Sequence, residues 1–283
     1  MTEAVQHIAY IQFAAANIPE PELSTEHLLG RALGRPRIIP DQQPELLDLE
    51  LQPDQELLLE GLVHCRLARM PIQYLVGNWE FHGITLDLRP PVFIPRPETE
   101  QLVEEVLSRL PNTPCSLLEI GPGSGAICLS LLKVRSDIKI TAVERSIAAA
   151  ELTKHNAEKL GLQDRLTVIQ DRVDTVHLED SFDAVISNPP YVLRKDLANL
   201  EPEIHVYEDL RALDGGAEGM DVILQLLELA SQVLKKDHSA FVALEVDPCH
   251  PHILPPKLEQ FYASEVIKDF RDKERFMVLR WKE

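Results

Sequence analysis

The spacing of apolar residues along the N-terminal part of the chain has the period of an amphipathic helix. Apolar side chains recur every three or four positions in segments separated by Pro-rich turns such as "RPRIIPDQQP". In "DQELLLEGLVHCRLARM" this spacing places Leu58, Leu62 and Cys65 on one face, and Asp54 stands where a helix cap is expected. The pattern predicts a small helical bundle over residues 1–75, for which we expect a role in docking the substrate.

The pattern changes between residues 76 and 97. Short alternating runs around Gly83 and the Pro90–Pro91 pair are typical of a β-hairpin, and we interpret this stretch as a linker. After it, "RPETEQLVEEVLSRL" predicts a helix with Thr99 as its cap.

From about residue 115, continuous apolar runs alternate with helical segments. The predicted strands are "SLLEI", "IKITAV", "RLTVI", "FDAVIS", "AFVALEV", "SEVIKDF" and "RFMVLRW". This alternation is typical of a mostly parallel sheet with helices on both faces, and strands that are apolar throughout fit burial on both sides. No helix separates the last two strands, so they are expected to form a hairpin. An α/β domain over residues 98–283 follows from this reading.

The net charge of the chain favours some classes of binding partner over others. Proteins that grip a nucleic-acid backbone usually carry a basic face, whereas this chain has a formal net charge of -18. A protein or small-molecule substrate is favoured, particularly a basic one, and we expect no direct contact with nucleic acid. No apolar run approaches the length of a membrane span, so no membrane partner is expected. The four cysteines show no C-x-x-C spacing, and no metal site is predicted.

Candidate chemistry begins where the first strand of the α/β region ends. "SLLEI" runs into a Gly-rich loop, and open α/β sheets bind ligands at the carboxyl ends of their strands. The second strand ends at Glu144, whose carboxylate can accept both hydroxyls of a ribose. The third strand is followed by Asp171, which can receive the amino group of an adenine. These strand ends predict a nucleoside pocket whose loop residues are Gly121, Pro122, Gly123, Ser124 and Gly125.

This arrangement resembles the class I S-adenosylmethionine-dependent methyltransferases over roughly residues 115 to 283. The resemblance implies an α/β fold with a Rossmann-like seven-stranded sheet. It also implies S-adenosyl-L-methionine as cofactor and S-adenosyl-L-homocysteine as product. In that fold, the fourth strand ends beside the methyl group that is transferred.

The fourth strand of this chain runs into "SNPPYV", where two prolines end the sheet ladder because neither has an N–H group. The Asn188 side-chain oxygen and the Pro189 carbonyl can accept the two hydrogens of a planar nitrogen. They would aim that nitrogen at the methyl group and stabilise its developing positive charge. Pro190 adds rigidity, and Tyr191 can stack on a flat substrate group. The tetrad therefore predicts methylation of an amide or aromatic amino nitrogen.

The tetrad leaves the substrate open, since it serves adenine-N6, guanine-N2 and glutamine-N5 methyltransferases alike. "PIQYLVGNWEFHGITLDLRPPVFIPRPETEQLVE", "SNPPYV" and "EPEIHVYEDLRALDGGAEGMDV" closely resemble the HemK/PrmC family of protein-(glutamine-N5) methyltransferases, across nearly the whole chain. The resemblance implies methylation of the glutamine in the Gly-Gly-Gln motif of class-one peptide chain release factors. A nucleic-acid amino-methyltransferase is the alternative, and a non-catalytic binding module is a third reading.

The family resemblance also implies roles for individual residues. Phe93 and Arg96 would lie over cofactor and substrate, and Glu98 would contact the substrate beside the Asn188–Tyr191 tetrad. The alternative is that Arg96 and Glu98 only anchor the hairpin and that Phe93 belongs to the core. Asn188 would also touch the cofactor.

Four departures from the family pattern are evident. Pro122 stands where Thr, Cys or Ser is commoner, and Glu144 replaces the commoner Asp. Arg172 occupies a place where bacterial members can carry an aromatic residue against the adenine, although a guanidinium can also stack. "LEVDPCHP" is similar to the animal mitochondrial branch. By resemblance we expect a mitochondrial, monomeric protein, although no presequence is visible; a cytoplasmic location is the alternative.

Overall fold

The chain divides into two compact units that are not contiguous in sequence. A computed structural model describes residues 2–39, 42–43, 50–253 and 262–282. The first unit comprises residues 1–79 with 201–207, and the second comprises residues 80–200 with 208–283. A seven-residue segment from the second half of the chain therefore belongs to the N-terminal unit.

The N-terminal unit is built from helices α1 (Thr2–Ala15), α2 (Pro21–Ala32), α3 (Pro53–Leu67) and α4 (Ile72–Val76). Helix α3 begins one residue before Asp54, and Gln52 caps it, with the Gln52 N–H donating to Gln55 Oε1 at 2.9 Å. The cap predicted at Asp54 is therefore wrong, because proline at the first helical position sets the start earlier. The predicted apolar face is wrong at Leu58, which is 42% exposed, whereas its neighbour Leu59 is buried.

A buried cation joins segment 201–207 to the helices of this unit. Arg66 is 4% exposed, and its guanidinium donates to Glu203 Oε1 at 3.0 Å and to the Met70 carbonyl at 3.1 Å. Arg69 Nη2 donates to the other oxygen of Glu203 at 2.6 Å. These two ion pairs lower the pKa of the Glu203 carboxyl despite the opposing effect of its burial, which is the largest single influence. The shared carboxylate holds two arginines of one unit together.

A hairpin whose first strand starts two residues before the second unit leads into the α/β sheet of that unit. Strands β1 (Asn78–Phe81) and β2 (Ile84–Asp87) form a two-stranded sheet, as the alternation around Gly83 predicted. The remaining elements are α5 (Thr99–Arg109), β3 (Ser116–Ile120), α6 (Ala126–Val134), β4 (Lys139–Glu144), α7 (Ile147–Leu160), β5 (Leu166–Gln170), β6 (Ala184–Ser187), α8 (Pro202–Tyr207, in the N-terminal unit), α9 (Asp221–Val233), β7 (Phe241–Glu245), β8 (Tyr262–Lys268) and β9 (Glu274–Trp281).

All seven predicted strands join one sheet in the order β5-β4-β3-β6-β7-β9-β8. The first five strands are parallel, while β9 runs antiparallel to both β7 and β8. The predicted α/β class and the terminal hairpin are confirmed. Because the chain moves outward from β3 to β5 and then returns to β6, the strand order reverses between β3 and β6. Ligands of open α/β sheets bind at such a switch point.

Helices cover both faces of the sheet. Alternate strand residues such as Leu117 and Ala243 pack with helices α5 and α6, while Leu118 and Val242 pack with α9 on the other face. This arrangement explains the continuous apolar strands, since every side chain of the central strands meets a buried surface. It also leaves the strand ends as the places where polar side chains gather.

Candidate active site

The candidate site is formed by the segments that follow β3, β4, β5, β6 and β7 at their carboxyl ends. These strands are consecutive neighbours in the sheet, so their ends form one row. Every side chain that the sequence nominated, apart from Phe93, Arg96 and Glu98, lies on this row.

The glycine loop after β3 is open at two positions and tight at a third. Gly121 and Gly123 have φ values of +71° and +62°, and a Cβ added to either would meet no heavy atom within 4 Å. Gly125 has φ +87°, and a Cβ there would lie 2.7 Å from Leu129 Cδ1. The Thr153 hydroxyl donates to the Gly123 carbonyl at 2.9 Å. The loop is thus fixed from behind, while open space faces its first two glycines, as a closely approaching ligand requires.

Glu144 ends β4 and is held against the glycine loop. Its Oε2 accepts from the Gly123 N–H at 3.2 Å, and its Oε1 accepts from the Ser146 N–H at 2.8 Å. Burial raises the pKa of this carboxyl, and the two backbone donors oppose that rise. Each oxygen keeps a further lone pair, so Glu144 fits the ribose role predicted for it.

Asp171 and Arg172 follow β5. The Asp171 N–H donates to the Glu144 carbonyl at 3.1 Å, which places the two acidic residues on adjacent strand ends. Asp171 Oδ1 accepts from Thr175 Oγ1 at 2.7 Å, and this hydrogen bond contributes most to lowering the pKa of Asp171. Arg172 is paired with Asp174 through Nε at 2.8 Å and Nη2 at 2.6 Å. Pairing in its plane leaves the faces of the guanidinium available for stacking, so the adenine contact stays a prediction.

The Asn-Pro-Pro-Tyr tetrad leaves β6 at a fixed point. Ser187 donates its hydroxyl to the Ile120 carbonyl at 2.6 Å, which ties β6 to β3 immediately before Asn188. Beyond the tetrad, Val192 pairs with Leu213 and Gly215 through hydrogen bonds of 2.9 Å each. Two glycines, Gly215 and Gly219, lie so close behind Tyr191 that a Cβ on either would approach its backbone to within 2.8 Å. The backbone of the tetrad is therefore held in place at both ends.

Two residues that the sequence did not nominate contact the tetrad. Asn188 Nδ2 donates to Thr99 Oγ1 at 3.1 Å, and Thr99 Oγ1 donates to Glu245 Oε2 at 2.7 Å. Tyr191 donates its hydroxyl to Glu245 Oε1 at 3.0 Å. Burial raises the pKa of both the Glu245 carboxyl and the Tyr191 hydroxyl. The predicted cap at Thr99 is wrong: Glu98 occupies the cap position, and the Thr99 hydroxyl is directed to Glu245 instead.

The "VFIPRPE" segment is anchored by ion pairs. The Arg96 guanidinium lies 4.6 Å from the centroid of the Phe93 ring, and its Nη2 contacts Glu208 Oε1 at 2.7 Å. Glu208 also accepts from the Ile94 N–H at 3.2 Å. Glu98 lies 3.5 Å from Arg271 Nη1. The structure supports an anchoring role for Arg96 and Glu98, and their contacts with ligands stay predictions.

A further acidic residue lies beneath the loop, on β3. Glu119 is fully enclosed, and burial raises its pKa to about 8. Neither carboxyl oxygen has a hydrogen-bond partner among the described residues. Within the described part of the chain, no cluster of His, Cys, Asp or Glu could hold a metal ion, and no helix is long and apolar enough to cross a membrane.

Comparison with known proteins yields two family matches. Residues 4–77 match the PrmC N-terminal domain, and residues 99–205 match the methyltransferase small domain. The chain is 41% identical over 297 residues to the MTRF1L release factor glutamine methyltransferase of Homo sapiens, covering 98% of this chain and 86% of that protein. It is 31% identical over 276 residues to the release factor glutamine methyltransferase of Escherichia coli strain K12, covering 97% and 96%.

Among solved structures, the catalytic domain of hMettl16 in complex with MAT2A 3'UTR hairpin 6 is similar with a TM-score of 0.57 and 15% identity. That match covers 71% of this chain and 76% of the other. At this identity the likeness concerns the fold alone, and it agrees with the class I methyltransferase sheet described above.

Proposed function

The chain belongs to the release factor glutamine methyltransferase family, and on that premise we propose how its site works and on what. The reaction is transfer of a methyl group from S-adenosyl-L-methionine to the side-chain N5 of the glutamine in the Gly-Gly-Gln motif of class-one peptide chain release factors. S-adenosyl-L-homocysteine is the product.

The observation that carries this proposal is the orientation of the Asn188 side chain. Its amide nitrogen is occupied by Thr99 Oγ1 at 3.1 Å, so its oxygen is the group left to face a substrate. A substrate amide nitrogen presents two hydrogens, and the Asn188 oxygen and the Pro189 carbonyl supply two acceptors. The prolines fix φ, which presets the direction of the carbonyl.

The two acceptors address the chemical difficulty of the reaction. An amide nitrogen is a poor nucleophile because its lone pair is delocalised over the carbonyl group. Holding both of its hydrogens orients the nitrogen for attack, and the two oxygens stabilise the positive charge that develops there. The Tyr191 ring would stack on the flat amide group. The methylated nitrogen carries a positive charge and then loses one of its two hydrogens as a proton to water, so no residue need act as a strong base.

The residues of the glycine loop fit the proposed cofactor. The open space before Gly121 and Gly123 would admit close approach of its methionine part, and Glu144, held against the loop, would accept the ribose hydroxyls. Asp171 and Arg172 would contact the adenine. When bound, S-adenosylmethionine supplies an electrophilic methyl group on a sulfonium centre.

The proposal extends to partner and location. The N-terminal unit would dock the release factor, and the net charge of -18 suits a basic protein surface better than nucleic acid. We propose a monomer in the mitochondrion; the support is the resemblance of "LEVDPCHP" to the animal mitochondrial branch and the 41% identity to the human relative. Imaging of the tagged full-length protein tests the location.

The experiment that tests the function is transfer of labelled methyl groups to a purified class-one release factor. A Gly-Gly-Ala variant of that factor and duplex DNA serve as parallel substrates. We expect label on the wild-type factor alone. Label on the Gly-Gly-Ala variant would refute the choice of glutamine, and label on DNA would favour the nucleic-acid alternative. Cofactor binding without transfer to any substrate would support the reading as a binding module.

A further inference from the structure

A relay of hydrogen bonds lies behind the substrate tetrad, and it begins at a carboxylate outside the predicted site. Glu245 closes β7, is 1% exposed, and accepts one hydroxyl at each oxygen: Thr99 at 2.7 Å and Tyr191 at 3.0 Å. Thr99, 3% exposed at the start of α5, in turn accepts from the Asn188 amide at 3.1 Å. We propose that Glu245 and Thr99 are positioning residues that fix which end of the Asn188 amide faces the substrate.

The direction of the relay follows from the chemistry of its members. A carboxylate that receives hydrogen bonds at both oxygens acts as an acceptor only, so the single proton of the Thr99 hydroxyl is committed to Glu245. The Thr99 oxygen can then only accept, and the group of Asn188 that can donate to it is the NH2 end. The Asn188 oxygen is therefore turned away from Thr99. A reversed amide would bring its oxygen against the Thr99 oxygen with no hydrogen between them.

The hydroxyls of Thr99 and Tyr191 and the nearby Arg275 oppose the rise in pKa that burial causes at Glu245, and so support its acceptor role. Arg275 is itself held by Asp269 at 3.1 Å. Glu98 is the acidic neighbour that acts in the opposite sense. Two hydroxyl donors and a cation thus surround a buried carboxylate, which is the arrangement that such a charge requires.

The same carboxylate places both ends of the tetrad. Tyr191 is tied to it directly, and Asn188 is tied to it through Thr99, so one group sets the distance between the acceptor and the aromatic support. This inference rests on the proposed function, because its consequence is the supply of an amide oxygen to the substrate nitrogen. The relay touches neither the glycine loop nor Glu144, and of the residues expected at the cofactor it includes Asn188 alone, so cofactor affinity should stay largely unchanged.

The test compares Thr99→Val, which keeps the shape of the side chain but removes the hydroxyl, with Thr99→Ser, which keeps the hydroxyl. Ser130→Ala is the control for loss of a buried hydroxyl, since Ser130 is also buried and donates to the Ala126 carbonyl at 2.7 Å within helix α6. Readouts are kcat and KM with a release factor, the Kd for S-adenosylmethionine by calorimetry, and the thermal midpoint. Wild-type transfer in the same assay reports separately on the proposed function.

We expect Thr99→Val to lower kcat by about a hundredfold, the scale of a misplaced reacting group, with an unchanged cofactor Kd. Thr99→Ser should recover most of that loss, and Ser130→Ala should retain kcat. Equal loss in the Ser and Val variants would overturn the inference, because packing rather than the hydroxyl would then be responsible. Wild-type kcat in Thr99→Val would do the same.

A second variant covers the case in which Thr99→Val does not fold. Glu245→Gln retains the shape of the side chain but offers an NH2 group that can donate to Thr99, which would free the Thr99 proton for the Asn188 oxygen. We expect a fall in kcat with an unchanged cofactor Kd. A kcat equal to that of the wild-type protein would overturn the relay, whereas absence of transfer by the wild-type protein would instead refute the proposed function.

Discussion

Two glycines of the same loop should respond to the same substitution in opposite ways. Gly125→Ala and Gly123→Ala each place a methyl group on a residue with positive φ, +87° and +62° respectively. At Gly125 the added Cβ would lie 2.7 Å from Leu129 Cδ1, 3.2 Å from Leu129 Cγ and 3.3 Å from Thr153 Cγ2. At Gly123 it would meet no heavy atom within 4 Å.

The magnitudes follow from these surroundings. A left-handed conformation costs an alanine about 1–2 kcal/mol, and both variants incur that cost. Gly125→Ala adds overpacking against Leu129, which is fully buried, at about 1–3 kcal/mol. The free energy of unfolding should therefore fall by about 2–5 kcal/mol in Gly125→Ala and about 1–2 kcal/mol in Gly123→Ala.

Cofactor affinity should respond in the reverse order, with the larger loss in Gly123→Ala. The methyl group at Gly123 enters the open space assigned to the cofactor, so we expect its Kd for S-adenosylmethionine to rise at least about tenfold, or about 1.4 kcal/mol. Urea unfolding without cofactor and calorimetric titration at a temperature where both variants are folded give the two quantities. Equal losses of stability, or wild-type cofactor affinity in Gly123→Ala, would refute the reasoning.

Three further predictions concern other parts of the molecule. Asn188→Ala should abolish methyl transfer to a release factor while calorimetry shows largely unchanged cofactor binding; transfer at the wild-type rate would exclude the acceptor role. Because burial raises the pKa of Glu119 to about 8, the folded protein retains a proton that the unfolded chain releases above its ordinary value of 4.5. The free energy of unfolding should thus fall with rising pH between these values, by up to about 1.4 kcal/mol per pH unit. Glu119→Gln should remove that slope in urea titrations at about pH 6 and about pH 8; parallel slopes would contradict the burial argument. Glu203→Gln should leave the Arg66 guanidinium buried without its carboxylate and lower the thermal midpoint, at a cost of about 3–5 kcal/mol; a midpoint equal to that of the wild-type protein would show that the ion pair contributes no net stability.

The sheet was predictable because its signal is carried by each segment separately. Seven apolar runs, each bounded by turn residues, are sufficient to predict seven strands, and the missing helix between the last two predicts their hairpin. Parallel pairing then places the ends of successive strands on one edge. The sequence alone therefore predicts that one edge of the sheet carries the glycine loop, Glu144, Asp171 and the tetrad.

The relay behind the tetrad was not predictable in the same way. Thr99 and Glu245 are separated by more than half of the chain, and nothing in the local sequence of either residue indicates the other. Thr99 stands at the start of a predicted helix, where a threonine is ordinarily expected to cap the helix. The segment "LEVDPCHP" indicates a branch of the family, and nothing in it predicts a role for the Glu245 carboxylate that it contains. Hydrogen bonds between side chains of distant elements depend on tertiary packing, which the periodicity of a sequence does not encode.

Helix α3 shows a similar limit at shorter range. Its apolar residues occupy more of the circumference than its neighbours cover, so the spacing allows two faces, and contacts with α2 and α4 decide that Leu59 rather than Leu58 is buried. The one buried charged residue of this helix, Arg66, has its carboxylate partner in Glu203. No local pattern predicts that a partner lies so far along the chain.

The placement of segment 201–207 within the N-terminal unit affects how this protein could be divided or shortened. A fragment ending at Trp79 would keep Arg66 and Arg69 but lose the carboxylate that they share. A catalytic fragment beginning at residue 80 would keep Glu203 without either arginine. Neither cut yields a complete set of ion pairs. The family matches alone, over residues 4–77 and 99–205, give no sign of this shared carboxylate. Loss of the N-terminal helices would accordingly leave the Glu203 carboxylate of α8 without its two arginines, so a shortened form of this protein should do better without α8 as well.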